Sequence, residues 1–350
     1  MSFFNKVNKA RRVLTRSLTK NIGRSQCAPK LGKEERLYFK RILISRPNGR
    51  LGNLLLLTPL LQEIENTFPE CKIDLFIKGN LAPILFKNYK NVENIIPLPR
   101  KPFKELVKYM KVWTKLKIHR YDLVINISKL SSSGRIATKI SNSRFKIFGD
   151  EHDNLPDNTG DSQHMGKASV YNFRRFLTCL GNELQESPIP SLDLKLTEEE
   201  ISEGQKTLKA LVNNDKETIS IFTYATCEKC YSMPWWKKFY EQLKSEFPEY
   251  NILEILPIEN ISQIDFQATT FYSKEVREIG AVIANTKIFI GADSGIMHLA
   301  SAVKTPTLGL FSVTNPKLYA PYNSKSIAVD TNTFPAEDYM KAVRKMLDSK

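Results

Sequence analysis

The chain has 350 residues, 41% of them hydrophobic and 25% charged, with no repeat or low-complexity stretch. That excludes a fibrous or wholly disordered protein and fits two ordinary globular domains. The formal charge is +15, but residues 1–40 alone hold eleven Lys/Arg against two Glu, a net of +9, leaving +6 for the rest. The basicity is therefore a tail property. It suits an anionic membrane surface, and the absence of any basic-aromatic motif argues against a nucleic-acid partner. The five cysteines are odd in number and form no spacing framework, which fits a reducing compartment. No apolar run approaches the ~20 residues that span a bilayer, and the basic N-terminus has no signal-peptide core.

In chain order, Phe3, Val7, Ala10, Leu14, Leu18 and Ile22 recur every three or four residues with Lys and Arg between them. This predicts an amphipathic cationic helix within a segment 1–38, suited to a membrane interface or else a solvated tail. From residue 41 strands and helices alternate. Strands are expected at 41–45, 72–77, 121–127 and 145–148, with helices at 54–68, 103–118 and 168–181. Residues 150–166 read as a long polar loop. Residues 185–197 read as a linker between a domain at 39–184 and a second at 198–332, with a closing helix in 333–350. The second half predicts strands at 218–222, 251–256, 287–291 and 305–311. Helices are expected at 198–212 (Thr197 and Glu200 forming a capping box), 234–247, 274–285 capped by Ser273, and 294–303. The expected architecture is α/β: two doubly wound, Rossmann-like domains facing a cleft.

The most informative stretch is Ile288 to Ala300, a buried strand, a three-residue turn and a helix. Ligands of open α/β sheets bind at the carboxyl ends of strands, and a helix N-terminus offers unpaired N–H groups and a partial positive charge. That is a seat for a diphosphate. Gly295 is expected to let a phosphate approach the backbone, Ser294 to add a hydroxyl, and His298 to donate from one turn further on. Asp293 is expected to cap the helix or to accept from a sugar hydroxyl.

Asp293-Ser-Gly-Ile-Met-His-Leu-Ala300 resembles the signature of glycosyltransferase family 9, the lipopolysaccharide heptosyltransferases. Residues 46–59, 121–126, 308–311 and 316–321 resemble further family segments in the same order. The resemblance implies a GT-B fold, a nucleoside diphosphate sugar (ADP-heptose-like) bound by the second domain, no metal and no cofactor, and a membrane glycolipid acceptor. It also implies a cytoplasmic protein peripheral to the inner membrane. It carries the donor phosphates onto Lys229, with Thr223 and Thr226 as hydroxyl candidates, and the ribose onto Glu259. Cys227 and Cys230 overlap this loop and read as an incidental pair.

One departure matters. Where the family has an aspartate as base, this chain has Asn53, which accepts no proton at neutral pH. Three readings stay open. The base lies in the acidic loop, with Asp161 the leading candidate among Asp150, Asp153, Asp157, His152 and His164. Or departure of the nucleotide dominates the barrier and Asn53 positions the acceptor. Or the chain is a non-catalytic sugar-nucleotide-binding scaffold. Arg46, Arg50 and Arg135 are candidates for holding an anionic acceptor.

Overall fold

The computed structural model describes residues 17–19, 22–23, 25, 37–99, 105–149, 160–183, 185–323, 325–334 and 336–348. Most of the predicted N-terminal amphipathic helix lies outside this set, as do Asp150, His152, Asp153 and Asp157. The chain divides into two compact units. The first comprises Met1–Gly49, Leu60–Ser162 and Lys167–Ile189, the second Arg50–Pro59, Gln163–Gly166 and Pro190–Lys350.

In chain order the first half runs β1 (Arg41–Arg46), α1 (Leu51–Leu55), α2 (Thr58–Thr67), β2 (Lys72–Lys78), α3 (Ala82–Leu85), β3 (Val92–Leu98), α4 (Leu106–Ile118), β4 (Arg120–Asn126), α5 (Ser132–Ile140), β5 (Asn142–Ile147) and α6 (Ala168–Cys179). Its sheet has the order β3-β2-β1-β4-β5, with all pairings parallel. Strands covered on both faces must be apolar throughout rather than alternating, and β1 is buried from Ile42 to Arg46. At the amino edge of the sheet, buried Asp74 gathers Arg41 (3.1 Å to each carboxylate oxygen), Asn94 and Tyr121 and so ties four strands together. Burial and this carboxylate push the Tyr121 phenol above its ordinary range. The helix expected over 54–68 is in fact two. Pro59 has no N–H and disfavours helical backbone at Thr58, so the chain restarts there, with the Thr58 hydroxyl donating to Leu55 O at 2.7 Å.

The second half runs α7 (Glu198–Val212), β6 (Thr218–Phe222), α8 (Met233–Glu246), β7 (Asn251–Ile255), β8 (Thr269–Phe271), α9 (Val276–Ala284), β9 (Ile288–Ala292), α10 (Gly295–Ala302), β10 (Thr307–Phe311), α11 (Pro316–Tyr319), β11 (Ile327–Asp330) and α12 (Ala336–Asp348). The six strands form a parallel sheet in the order β11-β10-β9-β6-β7-β8. The predicted capping box is present: Thr197 Oγ1 accepts from Glu200 N and Glu200 returns to Thr197 N. Glu200 also holds the Arg277 guanidinium, joining α7 to α9. Ser273 does not cap α9; Glu275 occupies that position, and the Ser273 hydroxyl accepts from Glu275 N in the preceding turn. Trp236, Phe239 and Leu243 of α8 share a core with Tyr339, Met340 and Val343 of α12.

Cys179 is disulfide-bonded, which runs against the reducing compartment that the cysteine spacing suggested, whereas Cys71, Cys227 and Cys230 are free. No helix among the described residues is long and apolar enough to cross a membrane.

Candidate active site

The second sheet has one topological switch point. From β6 the chain proceeds to β7 and β8 on one side, then returns as β9 on the other side of β6. The loops leaving the carboxyl ends of β6 and β9 therefore flank one crevice, the position where open parallel sheets bind their ligands. Lys229 lies on the first loop and Asp293 on the second. Their side chains meet across the gap, Nζ to Oδ2 at 2.5 Å. Asp293 is 6% exposed at its side chain and Lys229 34%, so the carboxylate is the fixed partner and the ammonium the accessible one. The hydroxyl of Thr314, just past β10, donates to the same Asp293 oxygen at 2.6 Å, and Lys229 Nζ lies 5.9 Å from the centre of the Tyr319 ring. Thr314 and Tyr319 escaped the sequence reading. The available signals were their position after the strand expected at 305–311 and, for Tyr319, its place in the family-like segment 316–321.

The cap of α10 is Ser294, whose Oγ accepts from Met297 N at 3.2 Å. This corrects the expectation for Asp293, whose carboxylate is already engaged by Lys229 and Thr314. The Ser294 hydroxyl proton remains available to donate. Gly295 also has a different role from the one expected. A Cβ there would lie 3.0 Å from Leu51 Cβ and 3.3 Å from Gly52 N, while a Cβ on Gly52 would lie 2.7 Å from His298 Cδ2. The space is filled by α1, not left for a phosphate. This back-to-back packing of two glycines ties residues 50–59 to the second unit, and it sets α1, which carries Asn53, against α10.

His298 is buried, and no described residue hydrogen-bonds its Nδ1. Desolvation pushes it down to about 4; Asp293 acts in the opposite direction, and His164 and Lys229 add to the fall. It is therefore neutral at pH 7. The folded value lies below the ordinary 6.5, so the unfolded chain binds the extra proton, and stability is lost as pH falls from about 6.5 towards 4. The His298 share of that loss is about 3 kcal/mol at most. His298→Gln is expected to flatten this part of the slope of the urea midpoint between pH 7 and 4.5, followed by tryptophan fluorescence. A slope equal to that of the unsubstituted chain would refute the assignment.

Thr223 is not a free donor. It is buried, its hydroxyl donates to Glu254 at 2.6 Å and its oxygen accepts from Gln263 N. Glu254 also accepts from Ser262 at 2.8 Å, and burial raises its carboxyl above the ordinary range despite both hydroxyls. This buried knot, not foreseen from sequence, pins the 257–263 loop to the loop after β6. Thr226 is exposed and opens the short 3₁₀ turn Cys227–Lys229 that presents the lysine. Glu259 is exposed in the neighbouring loop, and its charge raises the Tyr224 phenol. Among the described residues no group of His, Cys, Asp or Glu is arranged to hold a metal.

The acceptor candidates do not assemble in the same way. Arg46 ends β1 and is buried in the first unit, whereas Arg50 is exposed and precedes α1 in the second. Arg135 is buried and spends its guanidinium on the carbonyls of Ile22, Gly23 and Lys129 and on the Phe148 ring, so it holds the first unit together rather than an acceptor. Asp161 is bound by Lys167 Nζ at 2.5 Å and the Tyr171 hydroxyl at 2.8 Å. His164 uses both ring nitrogens: Nε2 donates to Ala320 O at 2.9 Å and Nδ1 accepts from Gly166 N at 3.2 Å. That assignment leaves it no lone pair for a substrate proton.

Two parallel α/β sheets, one with its ligand crevice at a topological switch point, give the chain the architecture of the GT-B fold. Residues 273–347, which include Asp293 and His298, match the model of glycosyltransferase family 9 (heptosyltransferase). The chain is 23% identical over 340 residues to lipopolysaccharide heptosyltransferase 3 of Escherichia coli K12, covering 85% of this chain and 95% of the relative. It is 23% identical over 286 residues to lipopolysaccharide heptosyltransferase 1 of Campylobacter coli, covering 75% and 82%. In fold it is similar to the family 9 glycosyltransferase of Veillonella parvula, with a TM-score of 0.70 at 16% identity, covering 90% of this chain and 99% of that one. It is also similar to E. coli heptosyltransferase WaaC with ADP, with a TM-score of 0.64 at 17% identity, covering 87% and 99%. The resemblance drawn from residues 293–300 is borne out: the chain resembles the heptosyltransferases of glycosyltransferase family 9 in sequence and in fold.

Proposed function

We propose that the chain transfers a heptose from a nucleoside diphosphate donor to a hydroxyl of lipopolysaccharide core or a related glycolipid, with inversion and without a metal, at the cytoplasmic face of the inner membrane. The observation that carries this reading is the Lys229–Asp293 pair spanning the switch point beside the N-terminus of α10. A leaving diphosphate gains charge as the glycosidic bond breaks. Lys229 and the α10 terminus supply positive charge there, the role a divalent cation would otherwise fill. Asp293 and Thr314 hold the lysine in place before the donor arrives, so little reorganisation is needed. The names of the curated relatives support heptose and lipopolysaccharide core, and the solved complex of WaaC with ADP supports an adenine nucleotide.

Asn53 cannot take the acceptor proton, and Asp161 is occupied by Lys167 and Tyr171. The reading best supported is that diphosphate departure dominates the barrier, Asn53 orients the incoming hydroxyl, and the proton leaves late to water. Calorimetric titration with ADP-heptose and with UDP-sugars tests the donor, and absence of affinity for every one removes the proposal. A product assay then separates transfer from a binding scaffold, the second reading that Asn53 favours. Asn53→Ala is expected to slow turnover by less than about tenfold, because a positioning hydrogen bond and not a proton acceptor is lost. A loss of a thousandfold or more would make Asn53 indispensable to the chemistry.

A further inference from the structure

Helix α4 of the first unit has two apolar faces. Leu116 is fully buried, and Tyr109, Val112 and Trp113 pack with it on the sheet core. The opposite face carries Leu106, Val107, Met110 and Ile118, exposed to 58, 68, 58 and 71%. At 3.6 residues per turn these four fall within an arc of about 120°. An amphipathic helix in a monomeric soluble domain turns polar residues outward, so an exposed apolar cluster of this kind, interrupted on its arc only by Thr114 and Lys117, marks a contact surface.

Its charge indicates what that surface meets. The thirteen residues of α4 include Lys108, Lys111, Lys115 and Lys117 and no acid. Lys111 and Lys115 flank the apolar arc and line the groove along it together with Leu106, Met110 and Ile118. Lys111 also lines a second groove, at the carboxyl ends of β2 and β3, with Lys108 and the Glu105 carboxylate that Lys108 pairs with at 3.3 Å. A second copy of this helix would bring like charges face to face, which disfavours self-association. Lysine stems can lie along acyl chains while their ammonium groups reach phosphates.

We infer that α4 is a membrane-docking helix that sets its Leu106–Val107–Met110–Ile118 face into the interface of an anionic phospholipid surface. This deepens the glycolipid-acceptor reading and rests on it for the choice of lipid. Its test needs neither donor nor acceptor, so the two stand or fall separately.

The full chain is floated with phosphatidylcholine vesicles, with and without phosphatidylglycerol. Binding to the anionic vesicles only is expected. Leu106→Ser/Val107→Ser/Met110→Ser and, separately, Lys111→Glu/Lys115→Glu are each expected to lower the partition coefficient by roughly tenfold or more, since each interfacial lysine is worth about fivefold. All five side chains point away from the core, so thermal unfolding of both variants should match that of the unsubstituted chain. Unchanged partition in either variant overturns the inference, and for the apolar variant it would leave the basic N-terminal segment as the membrane anchor. Equal binding to neutral vesicles overturns it too. So would variants that abolish self-association in sedimentation while leaving flotation intact, because the surface would then join copies of the chain.

Discussion

Replacing Lys229 with alanine is expected to lower kcat/KM for sugar transfer by about 10² to 10³, the range seen when one preorganised charge donor is lost from a transition-state site. The ammonium sits at the switch point, and its partner Asp293 is nearly sealed from solvent at 6% exposure. Removing it has two effects. In the proposed site a donor diphosphate would lose its cation, and the Asp293 carboxylate would be left buried with only the Thr314 hydroxyl, its negative charge then opposing the phosphates. The effect should therefore appear in donor affinity as well as in turnover, separable by calorimetry and steady-state kinetics. Lys229→Arg restores charge but not shape: a planar guanidinium does not replace a compact ammonium on a flexible stem, so only partial recovery is expected. Asp293→Asn keeps the lysine charge but loosens its tether, and should cost less than Lys229→Ala. Wild-type donor affinity in Lys229→Ala would refute the site.

The largest effect on stability is expected from Glu63→Ala, at about 3 kcal/mol or more, the cost of leaving a buried charge without its partner. Arg174 of α6 grips Glu63 of α2 with both Nε (2.6 Å) and Nη2 (2.9 Å), and the two side chains are only 5% and 4% exposed. The same guanidinium donates to Ser187 O and Oγ, so the pair also fixes the segment leaving the first unit. The double replacement Glu63→Leu/Arg174→Met is expected to recover a substantial part of the loss, because neither charge is then stranded. Lys206→Ala makes the contrast. Its pair with Glu203 is 70% and 71% exposed and should shift the urea midpoint hardly at all. A Glu63→Ala midpoint within error of wild type would show that the buried pair is not a structural tie.

Most of what could be read in advance came from hydrophobic patterning and helix-end chemistry. The strand at 218–222 and the helices at 198–212 and 336–348 were legible because runs of apolar residues and a capping box act over a few residues and need no partner from elsewhere. The edge strand β3 and the short β8 and β11 were missed. Their apolar content is mixed, and they are strands only because β2, β7 and β10 offer parallel hydrogen bonds beside them. Helix α5 was missed too: its Ser- and Gly-rich start reads as a loop until the Ser131 side chain caps it through Gly134 N.

By itself the sequence determined the α/β class, the two-sheet organisation and the turn from β9 into α10, since all three follow from local order along the chain. Only the tertiary structure decided which polar groups remain for chemistry. It joined Lys229 to Asp293 across 64 residues, spent Thr223 on Glu254 and Arg135 on backbone carbonyls, and filled the space beside Gly295 with α1. The physical reason is that a polar side chain's availability depends on whether packing supplies it with a buried partner, and such partners come from remote segments that no local pattern encodes.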